Sequence, residues 1–262
     1  MTTGLWQHRR FIWHAAVNDL HNRYAGSGLG VLWNVVTPLA LLALYTFIFR
    51  NVFVVRTPTS GAGTGAFVLY LASGFLPWGA FAECVASSTQ AFVANAAYLK
   101  KMPIPEQVFV AQSAVASTLS MLLIVVLLVG CALVLGQPPH WTWLVLPVVG
   151  VLWQTLGFGI GLALATVNVF FRDVAHMIGV VFQIWMWSVP IVYVEDILPA
   201  TYRSVLVFNP AYAFVRAMRD LYLSAQLPSP EVWLGMLAWA LVAIAIGFMT
   251  LRLHRTEIRD VL

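Results

Sequence analysis

Residues 107–171, QVFVAQSAVASTLSMLLIVVLLVGCALVLGQPPHWTWLVLPVVGVLWQTLGFGIGLALATVNVFF, lie between Glu106 and Arg172 without a single Asp, Glu, Lys or Arg. A membrane helix needs about 20 apolar residues, so this window is long enough for two crossings. The cluster Gly136 to His140, GQPPH, divides it, because glycine and paired prolines punctuate a helix. In hydrocarbon each backbone amide must pair within its own segment or within a closed barrel, and long uninterrupted apolar runs fit the first solution. The window therefore reads as a helical hairpin in a membrane, and the fold class as an all-α integral membrane protein.

The rest of the chain agrees. Apolar residues make up 61% of the 262 residues and charged residues 9%, against roughly 25% charged in soluble domains. Further uncharged windows run from Arg23 to Arg50, Arg56 to Glu83, Asp173 to Glu195 and Glu231 to Arg252. Six transmembrane helices are expected, at about 28–50, 66–94, 106–135, 143–168, 175–194 and 231–252. The expected organisation is an amphipathic interface helix over 1–25, a membrane domain over 26–254 and a tail over 255–262. Between the fifth and sixth spans, Glu195 to Pro230 is apolar yet broken by Pro199, Pro210 and Pro228, which suits short re-entrant helices. Pro38, Pro77, Pro147 and Pro190 fall inside the expected spans and would kink them.

An even number of spans puts both termini on one side. With the termini inside, Arg9, Arg10, Arg23, Lys100, Lys101, Arg172, Arg252, Arg255 and Arg259 are cytoplasmic, whereas Arg50, Arg56, Arg203, Arg216 and Arg219 are outside. The excess of inner cations favours this orientation. It also implies attraction to anionic membrane lipids, not to nucleic acid.

Wound as one helix, residues 6–24 place Trp6, Trp13, Ala16, Val17, Leu20 and Tyr24 on one face and Gln7, His8, His14, Asn18, His21 and Asn22 on the other. Such a helix lies in the interface plane. Arg9 and Phe11 fall on the wrong sides of the division, and nothing in the pattern accounts for Phe11. The region lacks the pattern of a cleaved signal peptide. Cys84 and Cys131 both fall in expected spans, where packing is their expected role.

Motifs for chemistry are missing. There is no Gly-Lys pair, hence no phosphate-cradling loop for ATP. Gly61 to Ala66, GAGTGA, matches a dinucleotide fingerprint, but no strand precedes it. The six histidines are too scattered to hold a metal. Glu83 alone is ionisable deep inside an expected span, either lining a wet cavity, making a polar helix contact or standing near a re-entrant bend.

Four features remain. Tyr98 to Glu106, YLKKMPIPE, forms a stiff basic elbow, with Tyr98, Lys100, Lys101, Met102, Pro103, Ile104 and Pro105; it is either a docking surface for a cytoplasmic partner or a charge pair that sets topology. Asn168 to Asp173, NVFFRD, places Arg172 beside Asp173 at a helix end, where a local salt bridge is worth about 1 kcal/mol or less. Trp141, Trp143 and Trp233 fit interface belts. Trp78, Phe81, Trp185, Trp187 and Tyr193 lie deeper, either on a lumen wall, where flat rings suit a sliding sugar chain, or in lipid-facing or packing positions. Gly157, Gly161 and Ala165, with Gly159 between, mark a close helix approach to a partner helix of this or another chain.

The pattern D-L-x-x-R-Y-x-x-S-x-L-G-x-x-W-x-x-x-x-P-L, present as Asp19 to Leu39, resembles the entry to ABC-2 type permeases of polysaccharide exporters, which carry O-antigen, teichoic acid or capsule. The likeness continues through Lys100 to Pro105, Asn168 to Asp173 and Pro190 to Tyr193, in the family's order; Asn18 stands where members often carry a basic residue. The resemblance implies a non-enzymatic, channel-forming subunit in a bacterial inner membrane, working as a homodimer with two copies of a cytoplasmic ATPase. That ATPase would bind ATP and Mg, and this chain no cofactor. Lipid-linked glycan, O-antigen first, would pass outward; an ABC-2 exporter of a drug, haem or small lipid is the alternative, and an ion-coupled secondary transporter the alternative from another class. By the same likeness Tyr98 and Lys100 to Pro105 would be a cytoplasmic gate or coupling element. Arg9, Arg10, Arg23 and Tyr24 would meet the lipid diphosphate.

Overall fold

The computed structural model describes residues 3–22, 28, 30–51 and 64–261. Helices are the only regular elements among them: α1 (Thr3–Gln7), α2 (Arg9–Asn22), α3 (Trp33–Asn51), α4 (Thr64–Ala94), α5 (Ala96–Lys101), α6 (Gln107–Val134), α7 (Leu146–Phe170), α8 (Asp173–Ser188), α9 (Ala200–Leu206), α10 (Pro210–Tyr222) and α11 (Pro230–Val261). Four segments are long and apolar enough to cross a membrane: Gly65–Ala94, Gln107–Val134, Trp141–Phe170 and Pro230–Ile258. The apolar stretch of α3, Trp33–Ile48, is shorter.

The expected break at GQPPH is present and has a backbone cause. Gly136 takes φ +78°, a left-handed conformation that only glycine adopts freely. Its N–H donates to the Leu133 carbonyl at 3.1 Å, and the Gln137 N–H donates to the Ala132 carbonyl at 2.9 Å. This pair of bonds satisfies carbonyls that the end of α6 would leave open, and Pro138 and Pro139 prevent the helix from resuming.

Prolines act differently from the expectation of four kinked spans. Pro38 and Pro77 do lie inside α3 and α4, but Pro147 sits in the first turn of α7, where its missing N–H has no helical partner to lose. Pro190 ends α8 instead of bending it: Val189, the residue before it, is extended at φ −109°, ψ 140°, because the proline ring excludes the α region for its predecessor. The fifth apolar helix thus stops at Ser188, short of the expected 194, and its 16 residues reach about 24 Å. The last helix overruns its expected end at 252 and continues to Val261.

Side-chain contacts fix the helix directions. Tyr45 of α3 meets Phe75 of α4 at 4.9 Å, while Trp33 shares a cavity with Glu83, so α3 and α4 are antiparallel. Asn168, near the end of α7, donates to the Thr89 carbonyl near the end of α4 at 3.2 Å. Those two helices therefore run parallel. Gly159 touches the backbone of Ala243 and Ile244, and Phe170 meets His254 at 5.5 Å, which makes α7 and α11 parallel and constant in register. One end of the bundle holds α2, the turn at 102–106, the turn at 171–172 and the end of α11. The other holds 136–145, 189–199, α9 and α10.

Two apolar clusters follow from this arrangement. The larger is centred on Phe81, Trp153, Leu156 and Phe214, all at most 1% exposed. A smaller one gathers Ile12, Phe92, Leu99, Ile104, Phe109, Leu251 and Ile258 at the elbow end.

The amino-terminal segment is two helices, not one. It breaks at His8, whose Nδ1 lies 2.7 Å from the Gly4 carbonyl. Ile12 and Ala16 are buried, whereas Trp6, Trp13 and Val17 are 70%, 52% and 40% exposed. The reason is docking onto α6: Phe11, unaccounted for by the helical pattern, sets its ring edge-on to Phe109 at 6.2 Å. The buried stripe is therefore rotated towards α6, and the tryptophans face away from the protein.

Candidate functional sites at the two ends of the bundle

The elbow is shaped by its prolines. Met102 and Ile104 each precede a proline, so α5 cannot continue, and Met102 is extended at φ −119°, ψ 141°. Leu99 and Ile104 point inward and are buried, while Tyr98, Lys100, Lys101, Met102 and Pro103 are exposed and Pro105 is half-buried. A basic, aromatic-tipped surface is thus held from beneath by apolar anchors. Gly4 lies so close to Pro105 that an added Cβ would come within 3.3 Å of its ring.

The residue that ties this elbow to the bundle is Glu106, which served in the sequence only as a boundary. It is fully buried, and its Oε2 accepts from Arg255 Nε at 2.9 Å. An isolated carboxylate beginning a long uncharged window was the available signal, since a buried charge requires a partner. Arg255→Ala is expected to lower stability by about 1 kcal/mol, at the low end for a buried acceptor losing a donor because Arg255 is half-exposed. A thermal melt of the purified protein in detergent measures it.

Around the turn at 171–172, Arg172 and Asp173 are both exposed and, among the described residues, neither forms an ion pair; the expected salt bridge does not form. Their side chains follow each other at the start of α8, where Asp173 instead sits in the first turn and meets the positive helix end. Asn168 organises the motif. It is 3% exposed, donates to Thr89 as above, and accepts from the Ala175 N–H at 3.2 Å. Of the residues expected at a lipid diphosphate, Arg9 stacks its guanidinium 4.6 Å above the Trp6 ring, and Arg10 is exposed. Arg23 and Tyr24 lie outside the described residues.

The five deep aromatics split into two groups. Trp78 and Phe81, expected on a lumen wall, are 4% and 0% exposed. They pack with Phe182 and Trp185 at centroid distances of 5.5–5.7 Å, so neither offers a free face, and for these two the core reading replaces the lumen reading. Trp185, Trp187 and Tyr193 instead line a cavity of about 620 Å³ together with Ser188, Tyr202 and Phe208. Its polar edges are fixed: Trp185 Nε1 donates to Asn209 Oδ1 at 2.8 Å, Asn209 Nδ2 donates to Ser188 Oγ at 3.1 Å, and the Tyr193 hydroxyl donates to the Trp187 carbonyl at 3.1 Å. Asn209 also caps α10 by accepting from the Ala211 N–H at 3.1 Å. One asparagine thereby joins the end of α8 to the start of α10.

Behind this cavity, residues 189–195 are held by a polar network. Arg219 of α10 donates from Nη2 to the Ile191 carbonyl at 2.9 Å and lies 3.8 Å over the Tyr70 ring. The Tyr70 hydroxyl donates to the Tyr193 carbonyl at 2.9 Å. Tyr212 donates to both carboxylate oxygens of Glu195 at 2.9 Å; burial, reinforced by Glu195, pushes its phenol up to about 12, so it stays a donor at neutral pH. Sequence reasoning treated Arg219 and Glu195 as loop charges, because nothing in the one-dimensional pattern places α10 against α4.

Comparison with known proteins bears on this arrangement. Two O-antigen export system permease proteins RfbA of Klebsiella pneumoniae are each 29% identical over 210 residues, covering 80% of this chain and 78% of the relative. The O-antigen export system permease protein RfbA of Myxococcus xanthus is 26% identical over 258 residues, 98% of this chain and 96% of the relative. The family model described as "ABC-2 type transporter" matches residues 11–223, from the helix docked on α6 through the end of α10. The match takes in the elbow, the aromatic cavity and the Arg219 network alike, and the chain belongs to the ABC-2 type transporter family.

Proposed function

We propose that this chain is the permease subunit of an ATP-driven exporter that moves lipid-linked glycan of the O-antigen type outward across the bacterial inner membrane. The observation that carries the reading is the similarity to an O-antigen export permease along 98% of the chain, in a member of a transporter family. The working assembly is a homodimer with two copies of a cytoplasmic ATPase that binds ATP and Mg. This subunit transports and does not catalyse.

In this reading six helices span the membrane, α3 and α8 joining the four longer segments, with both termini cytoplasmic. The first 25 residues lie at the inner interface, residues 26–254 form the membrane domain, and α9 and α10 are re-entrant from outside. The exposed Tyr98, Lys100, Lys101, Met102 and Pro103 meet the ATPase, and Arg172 and Asp173 form the second inner turn beside them. Arg9 and Arg10, with Arg23 and Tyr24, attract the diphosphate of the lipid carrier. Trp185, Trp187 and Tyr193 offer ring faces to sugar near the outer exit.

Two measurements test this. Deleting the chain, or its ATPase, is expected to remove surface glycan while lipid-linked glycan accumulates within. The purified complex is expected to hydrolyse ATP several-fold faster with lipid-linked glycan; stimulation by small amphiphiles alone would overturn the choice of substrate in favour of a drug, haem or small lipid.

A further inference from the structure

Glu83 is exposed although it sits within the apolar run of α4, about 16 Å from that helix's elbow end at 1.5 Å per residue. An ionisable group at such depth is costly and marks a candidate functional position. Here it faces a cavity of about 300 Å³. Trp33, Asn34 and Thr37 of α3 line one side, Gly79 and Glu83 of α4 a second, and Ser120 of α6 a third. The opposite face of α3, with Leu39, Leu42, Thr46 and Phe47, borders a separate and larger apolar groove. Asn34 and Thr37 are thus gathered on the cavity side of α3, while the Thr46 hydroxyl on the other face donates to the Leu42 carbonyl of its own helix at 2.7 Å.

The lining selects the ligand class. A water occupies about 30 Å³ of liquid volume, so the cavity is several times too large for one bare ion, and small-molecule sites begin at about 300 Å³. No cluster of three metal-binding side chains exists among the described residues. A carboxylate, an amide and two hydroxyls alternate donors and acceptors as vicinal hydroxyls do, and the 39%-exposed Trp33 supplies an apolar face of the kind that sugar C–H groups cover.

We infer that this cavity between α3, α4 and α6 binds one sugar ring of the transported glycan, with Glu83 and Thr37 accepting or exchanging hydroxyl hydrogen bonds and Trp33 stacking on the ring. The inference rests on the glycan-export reading and names a sugar contact distinct from the aromatic cavity at the other end.

The test uses the whole exporter, permease with its ATPase, in lipid nanodiscs. The probe is the lipid-linked glycan that accumulates in cells lacking the permease, and ATP hydrolysis is the readout. Glu83→Gln and Thr37→Val, both close in volume to the native residues, are each expected to raise the half-stimulating concentration about tenfold, the loss of one charge-assisted or buried hydrogen bond. Thr46→Val, on the opposite face of α3, is expected to match the wild type. Stimulation of the wild type with unshifted curves for both variants would overturn the sugar site and leave glycan export standing. Equal shifts in all three variants would also overturn it, since the effect would then follow α3 and not the cavity. No stimulation of the wild type would sink the export reading itself, and the sugar site with it.

Discussion

Gly159→Ala and Gly247→Ala are each expected to destabilise the protein by about 3 kcal/mol, the upper part of the usual range for overpacking. A Cβ on Gly159 would lie 2.5 Å from the Ala243 carbonyl carbon and the Ile244 nitrogen, and one on Gly247 would lie 2.5 Å from the Gly159 carbonyl oxygen. These neighbours are backbone atoms, so no rotamer change relieves the clash. The two helices must separate, and separation loses dispersion contacts along the whole α7–α11 seam, since each atom pair decays within an ångström. The gain of about 1 kcal/mol in helix propensity from glycine to alanine is too small to compensate. Gly79→Ala is the control, because nothing lies within 4 Å of its added Cβ. Thermal melts in detergent and the amount of protein in membranes report the outcome. A wild-type melting temperature for Gly159→Ala would show that α7 and α11 do not approach as closely as described.

The same glycines show where sequence reasoning reaches its limit. Four-residue spacing correctly marks Gly157, Gly161 and Ala165 as one face, and that face meets α4: Gly157 packs on Cys84 and Phe81, Gly161 on Ser88. Gly159 serves the opposite face and α11. Spacing identifies a stripe of small residues, but the partner of each stripe depends on helix order in three dimensions. The break at Gly136 was legible for a different reason, since left-handed φ and proline sterics are local rules. Pro190 was misread as a kink because the same ring geometry ends a helix when tertiary contacts support the extended chain that follows.

Aromatic residues illustrate the second limit. Trp78 and Phe81 stand three residues apart on one helix face, a spacing that suits a lumen wall and a packed core equally. Only the arrival of Phe182 and Trp185 from α8 decides for the core. Similarly, residues 6–24 carry apolar groups on two adjoining stripes. The stripe turned towards protein is the one that finds Phe109 on α6, and Trp6 and Trp13 are left exposed. Composition and local stereochemistry thus made the helices readable, whereas choices between chemically equivalent faces waited on their neighbours.

Arg219→Met is expected to free residues 189–195 while the rest of the bundle stays folded. The arginine anchors that segment at one point directly, through the Ile191 carbonyl, and supports a second through Tyr70, whose ring it covers and whose hydroxyl holds the Tyr193 carbonyl. Hydrogen bonds from a charged group are worth about 1.5–3 kcal/mol and a desolvated cation–π contact about 2 kcal/mol. Against this, the guanidinium is costly to bury, and its Nε has no partner among the described atoms, so an apolar replacement recovers part of the loss globally. The net effect on global stability is therefore small, about 1 kcal/mol. The local effect is large, because methionine donates no hydrogen bond and the Ile191 carbonyl is left behind in a buried position. Amide exchange is expected to accelerate at least tenfold over 189–195, which corresponds to about 1.4 kcal/mol of local protection, and to remain unchanged in α7. Arg219→Lys separates charge from geometry: it retains the cation but cannot lie flat over Tyr70 while reaching Ile191, so intermediate protection is expected. If Arg219→Met left exchange at 189–195 unaltered, the segment would have to be held by Tyr212–Glu195 and by the packing of Ile191 and Val192 instead, and Gly74, which an added Cβ would bring within 3.3 Å of Ile191, would become the residue that sets its position.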